Sequence, residues 1–128
     1  MASLYLHIPY CEHKCIYCDF YSIENADTME QFLLSLEKEI ALRASEFSRR
    51  ETFETIFFGG GTPSLLAPSI IEKILNQLHT LYRIEPNAEI TLETNPGTVD
   101  LEKLRAFRSA GINRISMGIQ SFHQDELN

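Results

Sequence analysis

Three cysteines stand close together in the run Cys11-Glu-His-Lys-Cys15-Ile-Tyr-Cys18, and the rest of the chain has none. Three thiols cannot all pair with one another, and a disulfide framework would spread them along the chain. Their spacing, C-x3-C-x2-C, suits a metal or cluster in a reducing compartment. Ordinary [4Fe–4S] clusters take four Cys. Three thiolates leave one iron of a cubane without a protein ligand, and an open iron can bind a substrate. Two other readings stand beside this one. One is a Cys3His zinc site completed by His13 or His7, and the other is three unrelated buried thiols.

Two further features could serve a ligand. Gly59-Gly60-Gly61-Thr62 lacks the Lys-Ser/Thr ending of a phosphate loop. A triple glycine lets backbone carbonyls approach a cationic group without a Cβ in the way, although a plain strand-to-helix turn has the same composition. Glu93 closes an apolar run and could accept hydrogen bonds from hydroxyls or an ammonium, or be a solvated strand end. His7 alternates with Leu4, Leu6 and Ile8, so it points away from them, into a barrel or into internal packing. His79 reads as a solvated-face residue, as do Glu24, Asp27, Glu37 and Glu39.

The elements that must hold these residues follow from periodicity. Ser3–Ile8 is a strand stopped by Pro9, and residues 9–27 form a long loop containing every cysteine. Thr28, with Gln31 three residues on, predicts a capping box and a helix to about residue 48. Met29, Phe32, Leu33, Leu36, Ile40, Ala44 and Phe47 form its apolar stripe. Thr55–Phe58 is a second strand. A helix from about Pro68 buries Ile70, Ile71, Ile74, Leu75, Leu78 and Leu81. Glu89–Glu93 is a third strand, ended by Asn95-Pro96-Gly97. A third helix over about Asp100–Ala110 turns Leu101, Leu104 and Phe107 inward, with Gly111 just past its end. Arg114–Gly118 is a fourth strand.

Strands alternating with helices predict an α/β fold with a parallel sheet. Four strands and three helices make half of a larger barrel, because a closed one needs roughly 200 residues or more. The expectation is therefore a single domain over residues 1–128, truncated on its C-terminal side, with no second domain. Lys and Arg total 11 against 18 Asp and Glu, a net charge of −7. That balance argues against non-specific nucleic-acid binding, which needs phosphates to be neutralised. No apolar run approaches the roughly 20 residues of a membrane helix, and residues 1–10 lack a signal peptide's basic start. A cytosolic protein is expected.

Taken together, the motifs resemble the radical S-adenosylmethionine (SAM) superfamily, whose signature is C-x3-C-x2-C after the first strand. Tyr5-Leu-His-Ile-Pro-Tyr-Cys11, Phe58-Gly-Gly-Gly-Thr-Pro-Ser64 and Ile115-Ser-Met-Gly-Ile-Gln-Ser-Phe122 are similar to its coproporphyrinogen-III-oxidase-like branch. The resemblance implies the N-terminal part of a partial (βα)6 TIM-like barrel. It implies a [4Fe–4S] cluster on Cys11, Cys15 and Cys18, with SAM chelating the fourth iron. Electron transfer from the cluster would then cleave SAM to methionine and a 5′-deoxyadenosyl radical. By the same resemblance, SAM would be touched by Tyr5, Tyr17, Gly60, Gly61, Thr62, Glu93 and Gln120, with Tyr10 and Phe20 shielding the cluster.

Within that branch two classes compete. Oxygen-independent coproporphyrinogen III oxidases decarboxylate two propionates by radical chemistry. Haem chaperones keep the cluster and SAM site but deliver haem to acceptor proteins. The oxidase carries a fourth Cys two residues after the third, where this chain has Phe20, and a long segment ahead of its first strand, where this chain starts close to Tyr5. Asp19-Phe20-Tyr21-Ser22 resembles the chaperones. The expected partners are SAM, haem or porphyrin, and haem-acceptor proteins.

Overall fold

The computed structural model describes residues 2–9, 26–47, 51–95, 97 and 99–117. Strands and helices alternate as β1 (Ala2–Ile8), α1 (Ala26–Phe47), β2 (Thr52–Gly60), α2 (Pro68–Leu81), β3 (Arg83–Thr94), α3 (Leu101–Ala110) and β4 (Arg114–Met117), with a 3-10 turn at Pro63–Leu65. The strands pair in parallel, in the order β1-β2-β3-β4. A sheet that grows in chain order without a switch is the arc of a barrel, whereas doubly wound sheets reverse direction. The expected α/β architecture, four parallel strands with three helices, is present.

Alternate strand residues make the core. Leu6 and Ile8, Ile56 and Phe58, and Ile90 and Leu92 are buried in one cluster with Ile40 and Ala44 of α1, Ile71, Ile74, Leu75 and Leu78 of α2, and Phe107 of α3. Register puts Leu6 beside Phe58 and Phe58 beside Leu92, so all three helices cover the same face. Each such side chain contributes about 1.5–3 kcal/mol. Phe58→Ala, at the centre of the sheet, would cost about 3–5 kcal/mol. Tyr82 ties α1 to the corner between α2 and β3: its hydroxyl donates to the Ile40 carbonyl at 2.8 Å and its ring packs edge-on to Phe53. Burial raises the pKa of that phenol above the usual tyrosine value. The period of two then places Tyr5, His7, Phe57, Thr91, Glu93, Arg114 and Ser116 on the opposite face.

Several boundaries differ from the periodic reading. Helix α1 begins at Ala26, so Thr28 sits inside its first turn. Ala, the strongest helix former, stands at its first position. Strand β3 begins six residues early, at Arg83. Two steps along β2, Phe53 to Thr55, face five along β3, Ile84 to Glu89. That irregularity holds Pro86, which breaks strand periodicity. Leu101 was expected inward but is 64% exposed; at 3.6 residues per turn it lies about 120° round α3 from buried Phe107. Helix α3 otherwise ends as expected. Asp100 accepts from the Lys103 N–H at 2.7 Å, and Gly111 closes the helix at φ 127°. Among the described residues no helix is long and apolar enough to cross a membrane.

Candidate functional site

The C-terminal ends of β1, β2 and β3 form a rim. Main-chain pairing between β1 and β2 runs to Ile8 and Gly60, but between β2 and β3 it stops at Phe58 and Leu92. Beyond that point a side chain takes over: the Gly60 N–H donates to Glu93 Oε1 at 3.1 Å. On the other side the Gly61 N–H donates to the Ile8 carbonyl at 2.7 Å. The glycine loop is thus pinned to β1 by main chain and to β3 by a carboxylate. Among the described residues the second oxygen of Glu93 has no hydrogen-bond partner.

Tyr5 stands on the same rim with 59% of its surface exposed. Its ring stacks on Phe57, centroids 5.8 Å apart and planes 16° from parallel, and its hydroxyl lies 3.3 Å from His7 Nδ1. Two glycines make this arrangement possible. A Cβ on Gly59 would lie 2.7 Å from the Phe57 ring and 2.9 Å from Tyr5. Gly60 has φ +111°, and a Cβ there would lie 2.8 Å from both His7 Nδ1 and the Ile8 carbonyl oxygen. Gly60 is therefore required by the protein's own backbone and packing, before any ligand is considered, whereas at Gly59 the Phe57 and Tyr5 rings would have to shift.

Thr62 is only 7% exposed and precedes the 3-10 turn without capping it by its side chain. Its carbonyl accepts from the Leu65 N–H, so Thr62 serves mainly to shape the loop. Buried Ser64, which the sequence did not single out, accepts from the Asn95 N–H at 3.5 Å and links the loop to the end of β3. A cleft of about 300 Å³ runs beside β1 and α1, lined by Tyr5, His7, Phe32, Leu36, Arg43 and Tyr82, among others. The exposure expected for His79, Glu37 and Glu39 is found.

The structure therefore brings together Tyr5, Gly60, Gly61 and Glu93, with Thr62 behind them. Cys11, Cys15, Cys18, Tyr17 and Gln120 lie outside the described residues, as do Tyr10, His13 and Phe20. His7 and Phe57 are additions to the expected set. Their signal was present in the alternation, because Tyr5 and His7 are two residues apart on one strand and must share a face. Chemically, the rim offers a carboxylate whose second oxygen has no partner among the described residues, a glycine backbone and an exposed aromatic ring. Those groups suit a ligand with an ammonium and an apolar or aromatic part.

The chain matches the Radical SAM superfamily over residues 5–128. It is similar to a protein named heme chaperone HemW from Haemophilus influenzae, 45% identical over 130 residues, covering 98% of this chain and 34% of that protein. It is also similar to an oxygen-independent coproporphyrinogen III oxidase from Bradyrhizobium diazoefficiens, 38% identical over 94% of this chain and 27% of that protein. Among solved structures, coproporphyrinogen III oxidase (HemN) from Escherichia coli, described as a radical SAM enzyme, superposes with a TM-score of 0.79. It is 35% identical, over 91% of this chain and 27% of that one. The chain spans between about a quarter and a third of the length of the curated relatives it matches.

Proposed function

We infer what this chain does from the family it belongs to, the radical SAM superfamily, whose members hold a [4Fe–4S] cluster and SAM. When bound, that pair supplies one-electron chemistry; the chain's part is to hold, orient and shield it. In this reading Cys11, Cys15 and Cys18 are the cluster ligands. Only two residues lie between Ile8 and Cys11, at most about 11 Å of chain, and Ile8 is bonded to Gly61 at the rim. The rim fits the amino-acid end of SAM. The Glu93 oxygen that has no partner among the described residues would take the ammonium, and the Gly60–Gly61 backbone presents no Cβ. Tyr5, Tyr17, Thr62 and Gln120 complete the proposed contacts.

The full-length protein, we propose, is a haem chaperone that binds haem and passes it to acceptor proteins in a reducing compartment such as the cytosol. Phe20 carries this reading: an oxidase of the branch would hold its fourth Cys there, two residues after Cys18. The naming of a 45% identical relative as a haem chaperone supports it. The test uses full-length protein with its cluster reconstituted anaerobically. Haem should bind in a titration, and coproporphyrinogen III with SAM and a strong reductant should give no protoporphyrinogen. Turnover to protoporphyrinogen would instead make the protein an oxidase, the activity in the name of its structural neighbour.

A further inference from the structure

We propose that His7 is a positioning residue for the SAM site, fixing the Tyr5 ring through its Nδ1 atom; the inference rests on the rim being that site. An exposed strand tyrosine ordinarily samples more than one rotamer. Here two contacts restrain it. Stacking on Phe57 sets the plane of the ring but leaves it free to slide, and the contact of its hydroxyl with His7 Nδ1, at 3.3 Å, holds the far end. The imidazole is itself placed by Gly60, because it occupies the space a Cβ there would take, with Nδ1 at 2.8 Å and Cε1 at 2.9 Å from that position. Gly60 therefore does two things: it adopts φ +111° and it makes room for His7. The order of support runs from Gly60 to His7 to Tyr5 to ligand. A binding group held in place beforehand loses less freedom when the ligand arrives.

Side-chain geometry makes this testable. Asn places an amide near the position of Nδ1, able to donate or accept, whereas Gln places it near Nε2. In reconstituted full-length protein, SAM affinity is measured by anaerobic equilibrium dialysis, with iron content and melting temperature followed in parallel. His7→Asn should stay within about twofold of wild type, while His7→Gln and His7→Leu weaken SAM about five- to tenfold, the size of one lost hydrogen bond. Tyr5→Phe should lose as much as His7→Leu, and the double variant no more than either, because both remove one shared contact. Equal losses in the Asn and Leu variants, or losses that add in the double variant, would overturn the proposal. Wild-type binding of SAM with His7→Leu unchanged overturns the positioning role alone, whereas wild type that does not bind SAM overturns the site assignment beneath it.

Discussion

The start of β4 and the C-terminal rim both carry polar residues, but these are engaged differently. Where β4 begins, Asn113 Oδ1 accepts from the Ile90 N–H at 2.7 Å and its Nδ2 donates to the Ala88 carbonyl at 2.9 Å. Next to it Arg114 reaches Glu89 at 3.7 Å and Thr91 at 3.5 Å. These groups close on one another and join β3 to β4. At the rim, Glu93 uses one oxygen for Gly60, and Tyr5 and His7 meet each other while Tyr5 stays largely exposed. Groups saturated by the chain hold strands together, whereas the second Glu93 oxygen and most of the Tyr5 surface are unused among the described residues.

This contrast can be broken by substitution, and the largest effect should come at the loop that follows β1. Replacing Cys11, Cys15 or Cys18 with Ser should abolish the cluster outright, read as loss of bound iron and of visible absorption. Retention of stoichiometric iron by any of the three would remove that residue from the ligand set. Gly60→Val should damage both stability and SAM binding. Its backbone conformation and the closeness of His7 put the strain at about 1–3 kcal/mol, visible in a denaturant titration.

The sharpest separation comes from one variant at each end. Glu93→Gln keeps an oxygen for the Gly60 N–H but removes the charge. SAM affinity should fall at least about tenfold, with stability changed by less than about 1 kcal/mol. Asn113→Ala should do the reverse, losing about 1–3 kcal/mol of stability through two unpaired backbone groups, with SAM affinity unchanged. The smallest effect belongs to Arg114→Met. Both partners of its ion pair are more than half exposed, so melting should shift by no more than the equivalent of about 1 kcal/mol.

Much of this was legible in the sequence because it depends on local rules. Alternation put Tyr5 and His7 on one face, the strand ends placed Gly60 and Glu93 at one edge, and Asp100 and Gly111 bounded α3. The rest depends on register and volume, which no single segment carries. The bond from Gly60 to Glu93 joins residues 33 apart in the chain and lies just beyond the last β2–β3 main-chain pair, Phe58 with Leu92. The crowding at Gly59 comes from Phe57 on its own strand together with Tyr5 on the neighbouring one. Nothing in the sequence marked Thr62 as buried, yet it is only 7% exposed beside the 3-10 turn. The early start of β3 was hidden by Pro86.

The central claim, that this rim holds SAM beside a three-cysteine cluster, is tested most directly by electron paramagnetic resonance of the reduced cluster in full-length protein. Addition of SAM should shift the signal in wild type and in Asn113→Ala, and shift it only at much higher SAM concentration in Glu93→Gln. A reduced-cluster spectrum that saturating SAM leaves unchanged in wild type would contradict the account.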